Sequence, residues 1–220
     1  MSGNDYEKIK LMTLGNSDVG KSSFILRYTG NSFNQYNLST QGIDLQTKYV
    51  KFDEKTYRID FYDTAGQEQY KSIAYNIIKN ADGIVLMYDI TQIKTFEDIT
   101  EWMANIEENK QPNVKIILLG NKCDLKETRE ITTEEGKELA EKYKIDFFEI
   151  SNKDGTNVEE AGNTLVKKII EIKKTMNKDI EHNNVIENIK IKLKNLQKNQ
   201  KNILVAKFIN IIKELVIIYI

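Results

Sequence analysis

Gly15-Asn16-Ser17-Asp18-Val19-Gly20-Lys21-Ser22 follows directly on the apolar run Ile9 to Leu14. It reads GxxxxGKS between a short strand and the start of a helix, the pattern of a phosphate-binding loop. Such a loop turns successive backbone N–H groups toward an anion at a helix N-terminus. In that setting Lys21 reaches the outer phosphates and the Ser22 hydroxyl reaches a magnesium ion. Ser17, Asp18, Val19, Gly20, Lys21, Ser22 and Ser23 are therefore the first candidates for contact with a nucleoside triphosphate. A fortuitous glycine turn would spell the same eight letters, so the remainder of the chain has to supply the rest of a nucleotide site.

Outward from this loop, the apolar runs Lys8 to Leu14, Ile84 to Tyr88, Val114 to Leu119 and Phe147 to Ile150 are short and mostly unalternating. Strands buried on both faces of a parallel sheet look like this. Ser22 to Tyr28, Thr95 to Asn109, Thr132 to Tyr143 and Val158 to Thr175 carry helical periodicity. Alternating strand and helix imply an α/β fold. Asp44 to Phe52 and Thr56 to Asp63 are rich in Tyr, Val, Ile and Phe and flank Asp53-Glu54-Lys55, which suggests a hairpin and one antiparallel edge strand. Ligands of such sheets bind beyond the carboxyl ends of the strands. Each motif below begins where an expected strand ends, or beside it.

Asp63-Thr64-Ala65-Gly66-Gln67-Glu68 follows the second hairpin strand. Asp63 can hold magnesium through water there, the Gly66 backbone can approach a γ-phosphate, and Gln67 can orient an attacking water. Asn121-Lys122-Cys123-Asp124 ends another strand. A carboxylate at Asp124 can accept from both donors of guanine's N1 and N2 edge, which adenine does not present, so Asp124 selects guanine. Ser151-Asn152-Lys153 closes the last strand, where a backbone N–H could meet guanine O6, although a plain polar turn would read the same.

In this order and spacing, GNSDVGKS, DTAGQE, NKCD and SNK resemble the small GTPases of the Ras superfamily, over residues 7 to 175. Ser17, the segment Ser39 to Asp44, Tyr62 to Glu68 and Leu86 to Thr91 look most like the Rab branch. The interval from Asp124 to Ser151 has no room for the extra helix of Rho proteins, and residue two is not the glycine of the Arf branch. The resemblance implies a P-loop GTPase fold: a six-stranded, mostly parallel sheet with one antiparallel edge strand and helices on both faces. It implies Mg2+ and GTP or GDP as ligands, with Lys21 on the β- and γ-phosphates and Gln67 positioning the hydrolytic water. Ser22 and Thr40 would ligate the metal, and Asp63 would hold it through water. Gly66 would sense the γ-phosphate and Phe33 would lie over the guanine edge, where an ordinary core aromatic is the alternative. Asn121, Lys122 and Asp124, with Ser151, Asn152 and Lys153, would contact the base.

The loops around Thr40 and Gly66 then become switches that an exchange factor, a GTPase-activating protein and effectors read. The implied function is a GTP/GDP switch that hydrolyses GTP in vesicle-mediated intracellular transport. Two alternatives stay open: a scaffold that binds GTP without turnover, and a Ras-type signalling GTPase without a lipid anchor. Departures from the Rab pattern are Gln41, Leu45, Tyr62, Gln69-Tyr70 and Ile77-Ile78-Lys79-Asn80-Ala81. Asn152 stands where the family has alanine, and Asp18 adds a carboxylate to the phosphate loop.

Composition bounds what else the chain can be. At 220 residues and 40% hydrophobic it can bury one full domain with material left over. The lone Cys123 excludes an internal disulfide framework and suits a reducing compartment. The N-terminus shows neither a signal peptide nor a myristoylation site, so the expected location is cytoplasmic, with peripheral contact to endomembranes an option. Residues 1 to 171 carry net −7 and residues 172 to 220 net +6. The acidic body argues against nucleic-acid binding, whereas the basic tail could favour anionic membranes. The expected domains are a GTPase domain at 1–175 and a Lys/Asn/Ile-rich tail at 176–220. The tail ends Leu215-Val216-Ile217-Ile218-Tyr219-Ile220, without the cysteine that Rab proteins prenylate. Three readings of it stay open: an amphipathic helix on a membrane, a short coiled coil on Ile186, Ile189, Leu193, Leu196 and Ile203, or an irregular tail.

Overall fold

The computed structural model describes residues 6–30, 43–64 and 78–198. Six strands, β1 (Glu7–Leu14), β2 (Ile43–Phe52), β3 (Lys55–Thr64), β4 (Gly83–Asp89), β5 (Lys115–Asn121) and β6 (Asp146–Ile150), form one sheet in the order β2-β3-β1-β4-β5-β6. All neighbours run parallel except β2, which pairs antiparallel with β3 and lies at the edge. The hairpin turns at Asp53 and Glu54, where Asp53 takes φ 52°, a left-handed conformation that a short polar side chain tolerates.

β4 is buried throughout and β1 and β5 are mostly buried, yet their residues still divide by parity between two cores. Ile9 and Leu11 of β1, Val85 and Met87 of β4, and Ile117 and Leu119 of β5 join one core. Helix α1 (Lys21–Tyr28) covers it with Phe24, Ile25 and Tyr28, and the first turns of α5 (Val158–Lys198) add Val158, Ala161, Leu165, Val166, Ile169 and Ile170. Met12, Leu14, Ile84, Leu86, Tyr88, Ile116 and Leu118 face the opposite core. There they meet Ile99, Met103 and Ile106 of α3 (Ile99–Asn109) and Ala140 of α4 (Thr133–Tyr143). Burying each such side chain stabilises the fold by about 1.5–3 kcal/mol. The sheet therefore has helices on both faces, as the alternation of elements implies.

Four local features differ from the sequence expectation. The helix expected over Thr95 to Asn109 is two pieces, α2 (Ile93–Glu97) and α3, meeting at Asp98. The Asp98 N–H still bonds Lys94 O at 3.1 Å, and the Trp102 N–H bonds Asp98 O at 3.0 Å, so helical bonding crosses the junction. β5 runs two residues beyond Leu119, because Asn121 still pairs with Asp89 and Ile150. A 3-10 turn at Lys126–Thr128 had no apolar period to announce it. The last helix continues past Thr175 to Lys198.

The start of α4 was legible: Thr132 and Glu135 form a reciprocal capping box. Next to it the Tyr88 ring fills space left by two glycines. A Cβ at Gly120 would lie 2.7 Å from the Tyr88 hydroxyl oxygen, and one at Gly136 would lie 2.5 Å from it. That hydroxyl is buried without a hydrogen-bond partner among the described residues, and burial raises its pKa.

The chain divides into two compact units, Met1–Glu171 and Ile172–Ile220. In the second unit, Met176, Ile180, Val185, Ile189 and Ile191 of α5 are exposed. No helix among the described residues is long and apolar enough to cross a membrane. Leu193 and Leu196 fall within α5, but their side chains lie outside the described set, as does Ile203.

Candidate functional site

β1, β3, β4, β5 and β6 all end on the same edge of the sheet, and the loops leaving β1, β5 and β6 meet there. Gly15 leaves β1 with φ 135°, and a Cβ on it would lie 2.2 Å from Met87 O, so only glycine lets the loop pass β4. Gly20 caps α1 with φ 102°. A Cβ there would meet Asn121 Nδ2 at 2.3 Å. Between them, Ser17 and Asp18 are exposed and Val19 is buried in the core. Asp18 takes φ 61°. Lys21 opens α1, with Ser22 and Ser23 half-buried behind it.

Lys21 is the buried cation of this edge, 5% exposed. Its Nζ donates to Gly15 O at 3.0 Å and Asn16 O at 2.6 Å. Burial lowers its pKa to about 8, against the opposing pull of Asp63 and Asp18, which favour the charged form. Asp63 is itself buried at the end of β3 and accepts from the Thr13 hydroxyl at 3.3 Å. Hydroxyl and carboxylate oxygens, as Ser22 and Asp63 offer, are hard donors of the kind Mg2+ takes, and it retains several waters besides. The donor set fits the metal.

The loops expected to read the base lie beside the phosphate loop and are bonded to it. Asn121 Nδ2 donates to Val19 O at 2.8 Å, and Asn121 Oδ1 accepts from the Asn152 N–H at 3.3 Å. Asp124 accepts from the Ser151 hydroxyl at 2.7 Å, which fixes the carboxylate's orientation, while the exposed Lys153 is 3.9 Å away. Lys122, at φ 69°, pairs with the fully buried Asp89 at 2.5 Å. Cys123 is half-buried and its backbone N–H bonds Ile150 O, tying this loop to β6.

The structure thus brings Ser17, Asp18, Val19, Gly20, Lys21, Ser22, Ser23, Asp63, Asn121, Lys122, Asp124, Ser151, Asn152 and Lys153 to one edge. Phe33, Thr40, Gly66 and Gln67 lie outside the described residues.

Several residues that sequence reasoning passed over also belong here. Asn16 Nδ2 donates to Asp98 Oδ2 at 2.7 Å, and Trp102 Nε1 donates to Asn16 Oδ1 at 2.9 Å, so α3 grips the phosphate loop. Asp89 accepts from the Thr91 N–H and hydroxyl and holds Lys122. The signal for Asp89 was available, as a polar residue ending a buried strand on the ligand-bearing edge. Asn16 occupies one of the motif's unrestricted positions and gave none.

Residues 10–171 match the Ras family. Over 161 residues the chain is 42% identical to Ras-related protein Rab-13 of Rattus norvegicus, covering 73% of this chain and 79% of that one. It is 40% identical over 174 residues to Ras-related protein Rab-8A of Gallus gallus, covering 79% and 83%. This chain is a Rab-branch member of the Ras family. Ras-related protein Rab-8B of Homo sapiens is similar to the same degree, 41% over 161 residues, 73% of this chain and 78% of the relative. As a Rab-type small GTPase the chain hydrolyses GTP and serves vesicle-mediated transport. Its family binds guanine nucleotide with Mg2+.

Proposed function

We propose that this Rab-type GTPase reads guanine through Asp124 and binds its phosphates through the loop from Ser17 to Ser23. The observation that carries the proposal is the direct bonding of Asn121 to Val19 O, which makes one rigid unit of the base-reading and phosphate-binding loops. Lys21 supplies charge to the β- and γ-phosphates, Asp124 accepts from the guanine N1 and N2 edge, and the backbone N–H of the Ser151-Asn152-Lys153 turn donates to O6. Ser22 and Thr40 hold Mg2+, with Asp63 behind a water. When bound, the metal neutralises charge on the phosphate oxygens. Gln67 orients the water that attacks the γ-phosphate, Gly66 reports whether that phosphate is present, and Phe33 shields the base edge.

The segments around Thr40 and Gly66 carry the state of the nucleotide to an exchange factor, an activating protein and effectors. The GTPase domain ends near residue 175. Beyond it, the basic tail makes peripheral contact with an anionic endomembrane surface at the cytoplasmic face. The exposed apolar residues of α5 past Glu171 and the surplus of lysines there support that contact. Single-turnover hydrolysis tests the chemistry: Gln67→Leu should slow it at least about tenfold while GDP retention is unchanged. An unaltered rate, with or without a partner supplying an arginine, would remove Gln67 from the mechanism.

A further inference from the structure

Two consecutive carbonyls of the phosphate loop are held from behind by carboxamide side chains. Val19 O accepts from Asn121 Nδ2 at 2.8 Å, and Gly20 O accepts from Asn152 Nδ2 at 2.9 Å. Gly20 O also takes the Phe24 N–H at 2.9 Å, the first bond of α1, so both of its lone pairs are used. The two residues are also joined to each other, because the Asn152 backbone N–H donates to the Asn121 side chain at Oδ1, 3.3 Å away. Both crowd the α-carbon of Gly20, where a Cβ would come within 2.3 Å of one and 2.8 Å of the other.

Asn152 is 3% exposed, and its own Oδ1 is buried without a hydrogen-bond partner among the described residues. An unpaired interior acceptor is a cost. An alanine at 152 would carry none of it and would leave the backbone N–H in place. What the side chain adds is the bond to Gly20.

We propose that Asn152 is a positioning residue for the phosphates, through its side chain, in addition to the backbone contact with the base. By holding Gly20 O against the base-reading loop, it fixes the peptide planes of Val19-Gly20-Lys21 so that their N–H groups face the β-phosphate. It thereby slows release of nucleotide. The effect acts on GDP and GTP alike and leaves base preference untouched, since the amide touches the loop and not the base. This inference rests on the assignment of the edge as a guanine-nucleotide site.

The test measures dissociation of a fluorescent GDP analogue from the full chain and from its Asn152→Ala and Asn152→Asp variants between pH 8 and pH 5.5. Loss of one hydrogen bond should speed release from Asn152→Ala about three- to tenfold. Asn152→Asp at pH 8 turns the donor into an acceptor facing a carbonyl, so its release should exceed that of the alanine variant. Burial at this 3% exposed position raises a carboxyl's pKa, so as pH falls protonation restores a donor, and the aspartate variant should return toward the wild-type rate while the alanine variant should not. A side chain that merely fills space would show no such pH response. Equal release rates for all three proteins would overturn the proposal, as would an aspartate excess indifferent to pH. Failure of the wild-type chain to retain GDP at all would overturn the site assignment as well, and so is a distinct result.

Discussion

The phosphate loop and the base-reading loops are neighbours built on opposite principles. The first relies on backbone and on a single buried cation, Lys21, whose desolvation lowers its pKa to about 8. The second relies on side chains aimed by other side chains: Asp124 by the Ser151 hydroxyl, Asn121 by Val19 O and the Asn152 N–H. In the proposed function one recognises charge and the other a pattern of donors. The difference teaches that affinity and base selectivity should be separable in this chain, even though hydrogen bonds join the two regions.

The largest break should come from Lys21→Ala. Charge-assisted bonds to phosphate are among the strong ones, and their loss should weaken GDP and GTP binding about a hundredfold or more by titration calorimetry. Guanine preference should persist in whatever binding remains. Asp124→Asn makes the complementary break. It should transfer preference from guanine to xanthine nucleotides, with roughly a tenfold or greater loss for GDP in competition assays. Equal losses for both bases would show that Asp124 supports the loop without reading the base.

Lys21 also gives the comparison a pH axis. Its folded-state pKa lies below the ordinary 10.5, so burial of the charged form costs stability below about pH 8. The cost is relieved as pH rises toward the unfolded value. Phosphate binding has the opposite sign, because it needs the ammonium. Nucleotide affinity should therefore fall above about pH 8, by at most about tenfold per pH unit, with proton uptake on binding detectable in buffers of different ionisation enthalpy. Lys21→Met should abolish the uptake, whereas Asp124→Asn should leave it.

The smallest effect sharpens the anchoring of the phosphate loop. Asn16→Ala and Trp102→Phe each remove the 2.9 Å bond between α3 and that loop. Trp102→Phe should speed nucleotide release about threefold and Asn16→Ala, which also loses the 2.7 Å bond to Asp98, somewhat more, while the double variant should show less than the product because the bond between the two residues is shared.

Much of this was legible from spacing. GxxxxGKS located the turn from β1 to α1, and a buried strand before Asn121 located Asp124, because strand ends in a parallel sheet collect on one edge. What was not legible depends on contacts distant in sequence. Asn16 meets Asp98 and Trp102, and Asn152 meets Gly20, across intervals that no local period records. α5 shows the limit of periodicity itself. Up to Ile170 its apolar residues are buried, whereas past Glu171 similar residues such as Met176 and Ile180 are exposed. Spacing announces a helix but not what covers it.

Tyr88 and the glycines at 120 and 136 share a single volume. Gly120 immediately precedes Asn121, so any side chain forced in at 120 must displace either the tyrosine ring or the strand end that carries the base-reading loop. Residue size at 120 and at 88 is therefore coupled, and at 136 it is coupled to Phe147 as well. A smaller residue at 88 would relieve Gly120 alone, since a Cβ at Gly136 would still lie 2.5 Å from Phe147 Cζ, so the strand end that carries Asn121 is guarded by a tyrosine far from any proposed contact with the nucleotide.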